Sequence, residues 1–181
     1  MKEQLWTQTI FDSYNNINTI LRTIDKKVLS LGVNSYKTTN YGQDCTLELM
    51  ETVIDLIERK KKILKLKQLV EDTLRNVSYN SAKLLVRRFL DKLSLSDIAN
   101  EQGKSMGVTR RALHRAINEA YDYFCKDGFC AYNIERDYNT EKWLVGIYEK
   151  KYDALKKPNV DDKIRFMPQK SNSSFSVYFA L

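Results

Sequence analysis

Residues 81–118 read SAKLLVRRFLDKLSLSDIANEQGKSMGVTRRALHRAIN, and local signals divide them into three short helices. Ser94 is placed to cap the middle helix. Asp97, three residues on, completes a capping box in front of Ile98 and Ala99. Gly103 tolerates the left-handed backbone that ends a helix, so it supplies a tight turn. Ser105 is then a natural N-cap for the third helix. The last two helices and their turn read as a helix-turn-helix.

The third helix has two faces. Leu113, Ala116, Ile117, Ala120 and Phe124 recur at helical spacing and should pack inward. Arg110, Arg111, His114, Arg115 and Asn118 fall on the other side. A narrow apolar stripe opposite cations and hydrogen-bond donors suits a helix lying in a DNA major groove. There the phosphates require positive charge and the base edges require forked donors. The bland alternative is a three-helix bundle with a solvated basic face. Charge distribution favours DNA: residues 81–118 hold eight Lys/Arg against three Asp/Glu, or +5 of the chain's +7. The flanking segments are close to balanced.

Ser105-Met106-Gly107-Val108-Thr109-Arg110-Arg111-Ala112-Leu113-His114-Arg115-Ala116 resembles the recognition helix of the sigma-70 region 4 superfamily. Leu84–Phe89 and Ser94–Ala99 resemble that family's earlier helices without a gap. The resemblance covers roughly forty residues, about one such module. It implies sequence-specific DNA binding, with Met106, Gly107 and Arg111 towards the bases and Arg110 and Arg115 near phosphates. The DNA-binding set it implies is Lys104, Ser105, Met106, Gly107, Arg110, Arg111, His114 and Arg115. Thr109 stands where the family usually has an aliphatic residue, and a one-residue shift would put Val108 in the core instead. Two long helices ahead of such a module resemble phage late-gene regulators of the ArpU and RinA type. No aromatic-rich promoter-melting segment precedes the motif, which argues against a complete sigma factor.

With 181 residues, 43% of them hydrophobic and 29% charged, the chain can build one ordinary domain or a small domain with a helical extension. A pI near 9.2 favours an acidic partner. No run approaches the ~18 apolar residues of a transmembrane helix. Residues 1–12 lack the apolar block of a signal peptide, so a cytoplasmic protein without a membrane partner is expected. Cys45, Cys125 and Cys130 do not form an even disulfide framework. With one histidine, His114, they make a poor zinc site. Neither a phosphate-cradling glycine loop nor a GxSxG or HExxH motif is present. The reading is therefore not an enzyme, with no cofactor and no metal.

Ahead of the motif, Ile10, Tyr14, Ile17, Leu21, Ile24, Val28 and Leu31 alternate four- and three-residue spacings, the pattern of a helix–helix seam. It fits a homodimer or a helix packed within its own chain. Asn15, Asn16 and Asn18 weaken intrinsic helicity, so packing must hold that helix. Polar residues 32–46, with two glycines, read as a break. A second long helix should run from about Asp44–Thr46 to Arg75. Its inward stripe would be Leu47, Met50, Ile54, Ile57 and Leu64, continued by Leu66, Leu69, Val70, Leu74 and Val77. Its basic block, Arg59 to Lys67, reads as a solvated face or a flank for phosphates.

After Phe124, residues 125–139 read as an ordered connection. Thr140 caps a last helix with Trp143, Leu144, Ile147, Tyr148, Tyr152 and Leu155 on one stripe. In the tail, residues 163–167 and 175–181 could pair as a small β-hairpin, or the tail could be disordered or bind a partner. The expectation is an all-α protein in three segments. Residues 1–77 form a helical hairpin, 78–125 the helix-turn-helix bundle, and 126–181 an extension of one helix and a tail. The leading functional reading is a DNA-binding transcriptional regulator of phage or bacterial type. Its partners would be double-stranded DNA, RNA polymerase by resemblance, and a second copy through the N-terminal helices. A phage DNA-packaging subunit of the small-terminase type is the competing reading.

Overall fold

Three asparagines do not interrupt the first helix: Lys2–Lys37 is one continuous helix, α1. The computed structural model describes residues 2–37 and 43–156, and within them all regular structure is helical. After α1 come α2 (Gln43–Asn76), α3 (Tyr79–Leu85), α4 (Leu95–Glu101), α5 (Met106–Lys126), α6 (Ala131–Tyr138) and α7 (Lys142–Lys156). A π-helical turn, Val86–Leu90, prolongs α3. The all-α expectation holds. The proposed C-terminal β-hairpin lies outside the described residues.

The seam of α1 is filled from within the chain. Ile10, Ile17, Leu21 and Ile24 are buried, and Tyr14, Val28 and Leu31 pack at the edge of the same core. Much of that core is supplied by α2, through Leu56, Ile63, Leu66, Leu69 and Val70. Polar side chains reinforce the pairing: the Tyr14 hydroxyl donates to Glu71 at 2.9 Å and Lys60 meets Asp25 at 2.5 Å. The asparagines are put to use. Asn18 accepts from Lys67 at 3.1 Å, and Asn15 donates to the Leu90 carbonyl at the end of the π turn, 3.0 Å away.

The second part of the expected inward stripe of α2 holds, with Leu66, Leu69, Val70 and Val77 buried and Leu74 packed against them, but its first part differs. Leu47, Met50, Ile54, Ile57 and Leu64 remain 41–60% exposed. The stripe that packs on α1 is offset by one residue: Leu49 and Val53 are half-buried, and Leu56, Ile63, Leu66 and Val70 are buried. Both stripes have helix-seam spacing and lie ~100° apart around the helix, so the hairpin can bury only one. Only the offset stripe stays in phase with Val70, Thr73 and Val77, which must also be buried near the rest of the molecule.

Two further expectations need correction. Helix α1 continues through Gly32 to Lys37 and α2 begins at Gln43, so most of the predicted break is helical. A single glycine costs a helix only ~1 kcal/mol, and two long packed helices absorb that. The predicted connection at residues 125–139 contains α6, whose Ile134 and Tyr138 are buried one helical turn apart. It is too short for its periodicity to stand out in the sequence.

The three expected segments share one apolar core up to Lys156. The start of α7 is fixed by Glu141, a buried carboxylate. Arg59 of α2 grips it with two hydrogen bonds of 2.8 Å, and the Trp143 indole N–H donates to it at 2.6 Å. Thr140, expected to cap α7, lies one residue too early, since the Glu141 carbonyl accepts from Leu144 and Val145. No helix of the described residues is long and apolar enough to cross a membrane.

Burial pushes the Glu141 carboxyl upward, but the hydrogen bonds from Arg59 and Trp143 outweigh it and leave the group below the ordinary carboxylate range. A depressed carboxyl stabilises the fold above its unfolded pKa and loses that contribution as pH falls through its folded value. Glu141→Gln should therefore lower stability by ~1–3 kcal/mol at pH 7, the scale of hydrogen bonds to a charged group. The difference from the native chain should shrink below about pH 4.3. Urea unfolding at neutral and acid pH measures both effects.

Candidate nucleic-acid interface

The helix-turn-helix is built by local capping, largely where the sequence placed it. Ser94 Oγ accepts from the Asp97 amide at 3.2 Å, and Asp97 accepts from the Ser94 amide at 3.3 Å. That completes the capping box on α4. The turn closes when the Gly103 amide donates to Asn100 and the Lys104 amide to Ala99. Gly103 sits at φ +60°, in the region that favours glycine. Ser105 then caps α5 by accepting from the Val108 amide at 3.4 Å.

The choice between Thr109 and Val108 is resolved in favour of threonine. Thr109 is 1% exposed and Val108 is 40% exposed. The buried hydroxyl is satisfied locally, donating to the Ser105 carbonyl at 3.2 Å. Behind it Leu113, Ala116, Ile117, Ala120 and Phe124 are buried, as their spacing predicted.

A carboxylate absent from the sequence-based site holds α5 to α3. Glu119 accepts hydrogen bonds from the Ser81 hydroxyl at 2.6 Å, the Ser78 amide at 2.5 Å and the Ser78 hydroxyl at 3.0 Å. The Ser81 bond contributes most to holding Glu119 below its ordinary pKa, over an opposing push from burial. Its position at the amino end of α3 also suits the helix dipole.

Seven of the eight cations of residues 81–118 fall into two groups, and the eighth, Lys83, is exposed on α3 outside both. Arg87 faces Asp91 and Glu101 at 3.7 and 3.8 Å. Arg88 donates to the Leu93 carbonyl at 2.9 Å, and Lys92 pairs with Asp12 of α1 at 2.9 Å. These three hold the bundle together. Lys104, Arg110, Arg111 and Arg115 are exposed and make no ion pair among the described residues. Ser105, Met106, Gly107 and His114 are exposed beside them. Every predicted DNA-binding residue therefore lies at the amino end or along the outer surface of α5.

Within that surface, Val108, Arg111, His114 and Arg115 border a shallow open hollow. The Arg111 Nε reaches back to the Gly107 carbonyl at 3.4 Å. A Cβ added at Gly107 would meet no atom within 4 Å, so packing within the described residues does not require glycine there. Asn118 is less free than its helical position suggested: it accepts from Gln4 Nε2 at 2.7 Å. Residues near the start of α1 thus close off the outer face of α5 one turn beyond His114.

Cys125 and Cys130 lie side by side across the turn between α5 and α6. Among the described residues no group of three or more His, Cys, Asp or Glu is arranged to hold a metal. No protein-family model, curated protein or solved structure matches the chain.

The orientation of α5 can be tested by stability alone. Thr109→Asn buries a larger amide and should cost ~1–3 kcal/mol. Val108→Asn, at a half-open surface position, should stay within about 0.5 kcal/mol of the native chain. Thermal melts of the two variants should differ clearly in that order.

Proposed function

We propose that the chain is a sequence-specific DNA-binding transcriptional regulator that inserts the amino-terminal half of α5 into the major groove. The observation carrying this reading is the division of cations. Arg87, Arg88 and Lys92 are held within the bundle. Arg110, Arg111 and Arg115 extend unpaired from one capped helix with Lys104 just ahead of its cap, and of this segment's cations only Lys83 falls outside both groups. Charges that only kept the fold soluble would not need to cluster at the free end of a helix-turn-helix. Phosphates do need them there.

Each part of α5 has a chemical role in this arrangement. In its first turn Ser105 caps the Val108 amide. The Met106 and Gly107 amides have no partner inside the helix and lie at the positive end of the helix dipole, with Lys104 beside them. Together they suit a phosphate. Gly107 lets a DNA backbone or base edge approach without meeting a side chain. Arg111 and Arg115 offer planar forks matched to guanine, and the Met106 and Val108 side chains can contact thymine methyl groups. Arg110 lies to one side, where it can reach the flanking phosphate strand. The resemblance to sigma-70 region 4 supports the same orientation, and points to transcription rather than packaging.

The block on α2 plays a smaller part. Lys60 is already paired with Asp25, Arg59 with Glu141 and Lys67 with Glu71, which leaves Lys61, Lys62 and Lys65 as sequence-blind charge.

Selection from a random DNA pool should return a defined site. Against that site, Arg110→Ala combined with Arg111→Ala should lose at least ~1–3 kcal/mol of binding with an unchanged circular dichroism spectrum. Equal affinity of the two proteins at moderate salt would refute the proposal. Gly107→Ala separates stability from binding. A methyl group in open space at a helical position should leave stability equal or slightly higher, while crowding the DNA and lowering affinity. Titration calorimetry of binding and thermal melting of the same variant measure the two effects.

A further inference from the structure

We propose that two copies of this chain associate through the outward stripe of α2, with the two α2 helices antiparallel. This stands apart from the DNA reading and needs none of the α5 residues.

The stripe is Leu47, Met50, Ile54, Ile57, Lys61 and Leu64, whose intervals alternate three and four residues. That is the a/d pattern of a helix packed along another helix, and no helix among the described residues covers it. The five apolar members are 41–60% exposed. Such exposure amounts to roughly 400–500 Å² per copy, within the ~300–600 Å² of the largest, often functional, apolar patch on a monomer. It is also about half of the ~800 Å² per partner that a specific interface buries. Leu29 and Val33 of α1, both exposed, and an apolar groove lined by Val28, Leu49, Met50, Val53 and Ile54 extend the surface alongside it.

Charge identifies a second copy as the occupant and sets its direction. From Leu47 to Glu58 the helix carries Glu48, Glu51, Asp55 and Glu58 and no cation. From Arg59 to Val70 it carries six cations and no acid. Arg59, Lys60 and Lys67 are paired within the chain. Lys61, Lys62 and Lys65, and all four acids, make no ion pair among the described residues. Antiparallel copies lay the acidic half of one helix along the basic half of the other. The stripe is self-complementary in that arrangement: Leu47 lies over Leu64 of the second copy, Met50 over Lys61, and Ile54 over Ile57. The lysine stem packs on methionine while its ammonium reaches outward to the acidic half. A single polar residue in a seam of this kind fixes the alignment of the helices. Parallel copies would instead set Lys61 against Lys61 and acids beside acids.

Light scattering on the full chain should give about twice the 21.2 kDa of one chain. Ile54→Asp with Ile57→Asp should weaken self-association more than tenfold. Both side chains are exposed, so helicity and the fold should persist in the variant. For direction, Cys45, Cys125 and Cys130 are replaced by Ser, and Met50→Cys and Lys61→Cys are made in separate preparations. A mixture of the two should form oxidised cross-links mainly between unlike copies. Cross-linking of each preparation with itself in preference would overturn the antiparallel arrangement. A monomeric full chain, a dimer unaffected by the Asp substitutions, or a larger ring would overturn the interface. So would a chain that dimerises only when cut after Lys156, because the C-terminal segment would then be the occupant of the stripe.

Discussion

Phe11 is fully buried, with the ring of Phe89 5.7 Å away and that of Phe124 5.9 Å away. One residue of α1 thus joins the π turn to the helix that presents the candidate interface. Removing a ring from such a site costs about 3–5 kcal/mol, a large share of the 5–15 kcal/mol that holds a typical domain together. The neighbouring Asp12 strengthens the junction through Lys92 and Lys151, and Gln4 reaches Asn118. The direction in which α5 points is therefore set by α1 rather than by the helix-turn-helix alone. Hairpin and bundle behave as one body because both are built on the same helix.

Where a feature depends on neighbours along the chain, the sequence was legible. Ser94 with Asp97, the left-handed Gly103, Ser105 and the inward stripe of α5 need only the spacing of adjacent residues, and they stand as expected. The choice between two competing apolar stripes on α2 was not legible. Leu47, Met50, Ile54, Ile57 and Leu64 have seam spacing as good as that of the buried set. Contacts from distant parts of the chain decided between them. Thr109 illustrates the same limit at one residue. Hydropathy ranks valine above threonine for the core, but a threonine can return its hydroxyl to the carbonyl four residues earlier, and it takes the inward position.

The candidate site was legible as a set of residues but not as an electrostatic object. Eight cations in residues 81–118 gave no indication of which were committed. Arg87, Arg88 and Lys92 are held by Asp91, Glu101, the Leu93 carbonyl and Asp12, partners that include a residue of α1 eighty positions away. Nothing local in the sequence marks Glu119 for a structural role. It is the group that ties α5 to the start of α3. Neither role carries a local pattern, because each depends on where a different helix comes to rest.

The order in which the core closes has a consequence for synthesis. Trp6 is buried under Tyr148, the two rings 4.2 Å apart, although 142 residues of chain separate them. At ~5–20 residues per second, roughly 7–30 s pass between translation of the first and the second. During that interval α1 can fold onto α2, but its amino-terminal end has no α7 to cover Trp6, and no α5 to cover Phe11 until Phe124 has been made. A nascent chain with that end exposed offers an apolar helix to whatever waits at the ribosome exit. For this protein the vulnerable period is set by the distance between Trp6 and α7, and a chaperone that shields aromatic helices would act on it then.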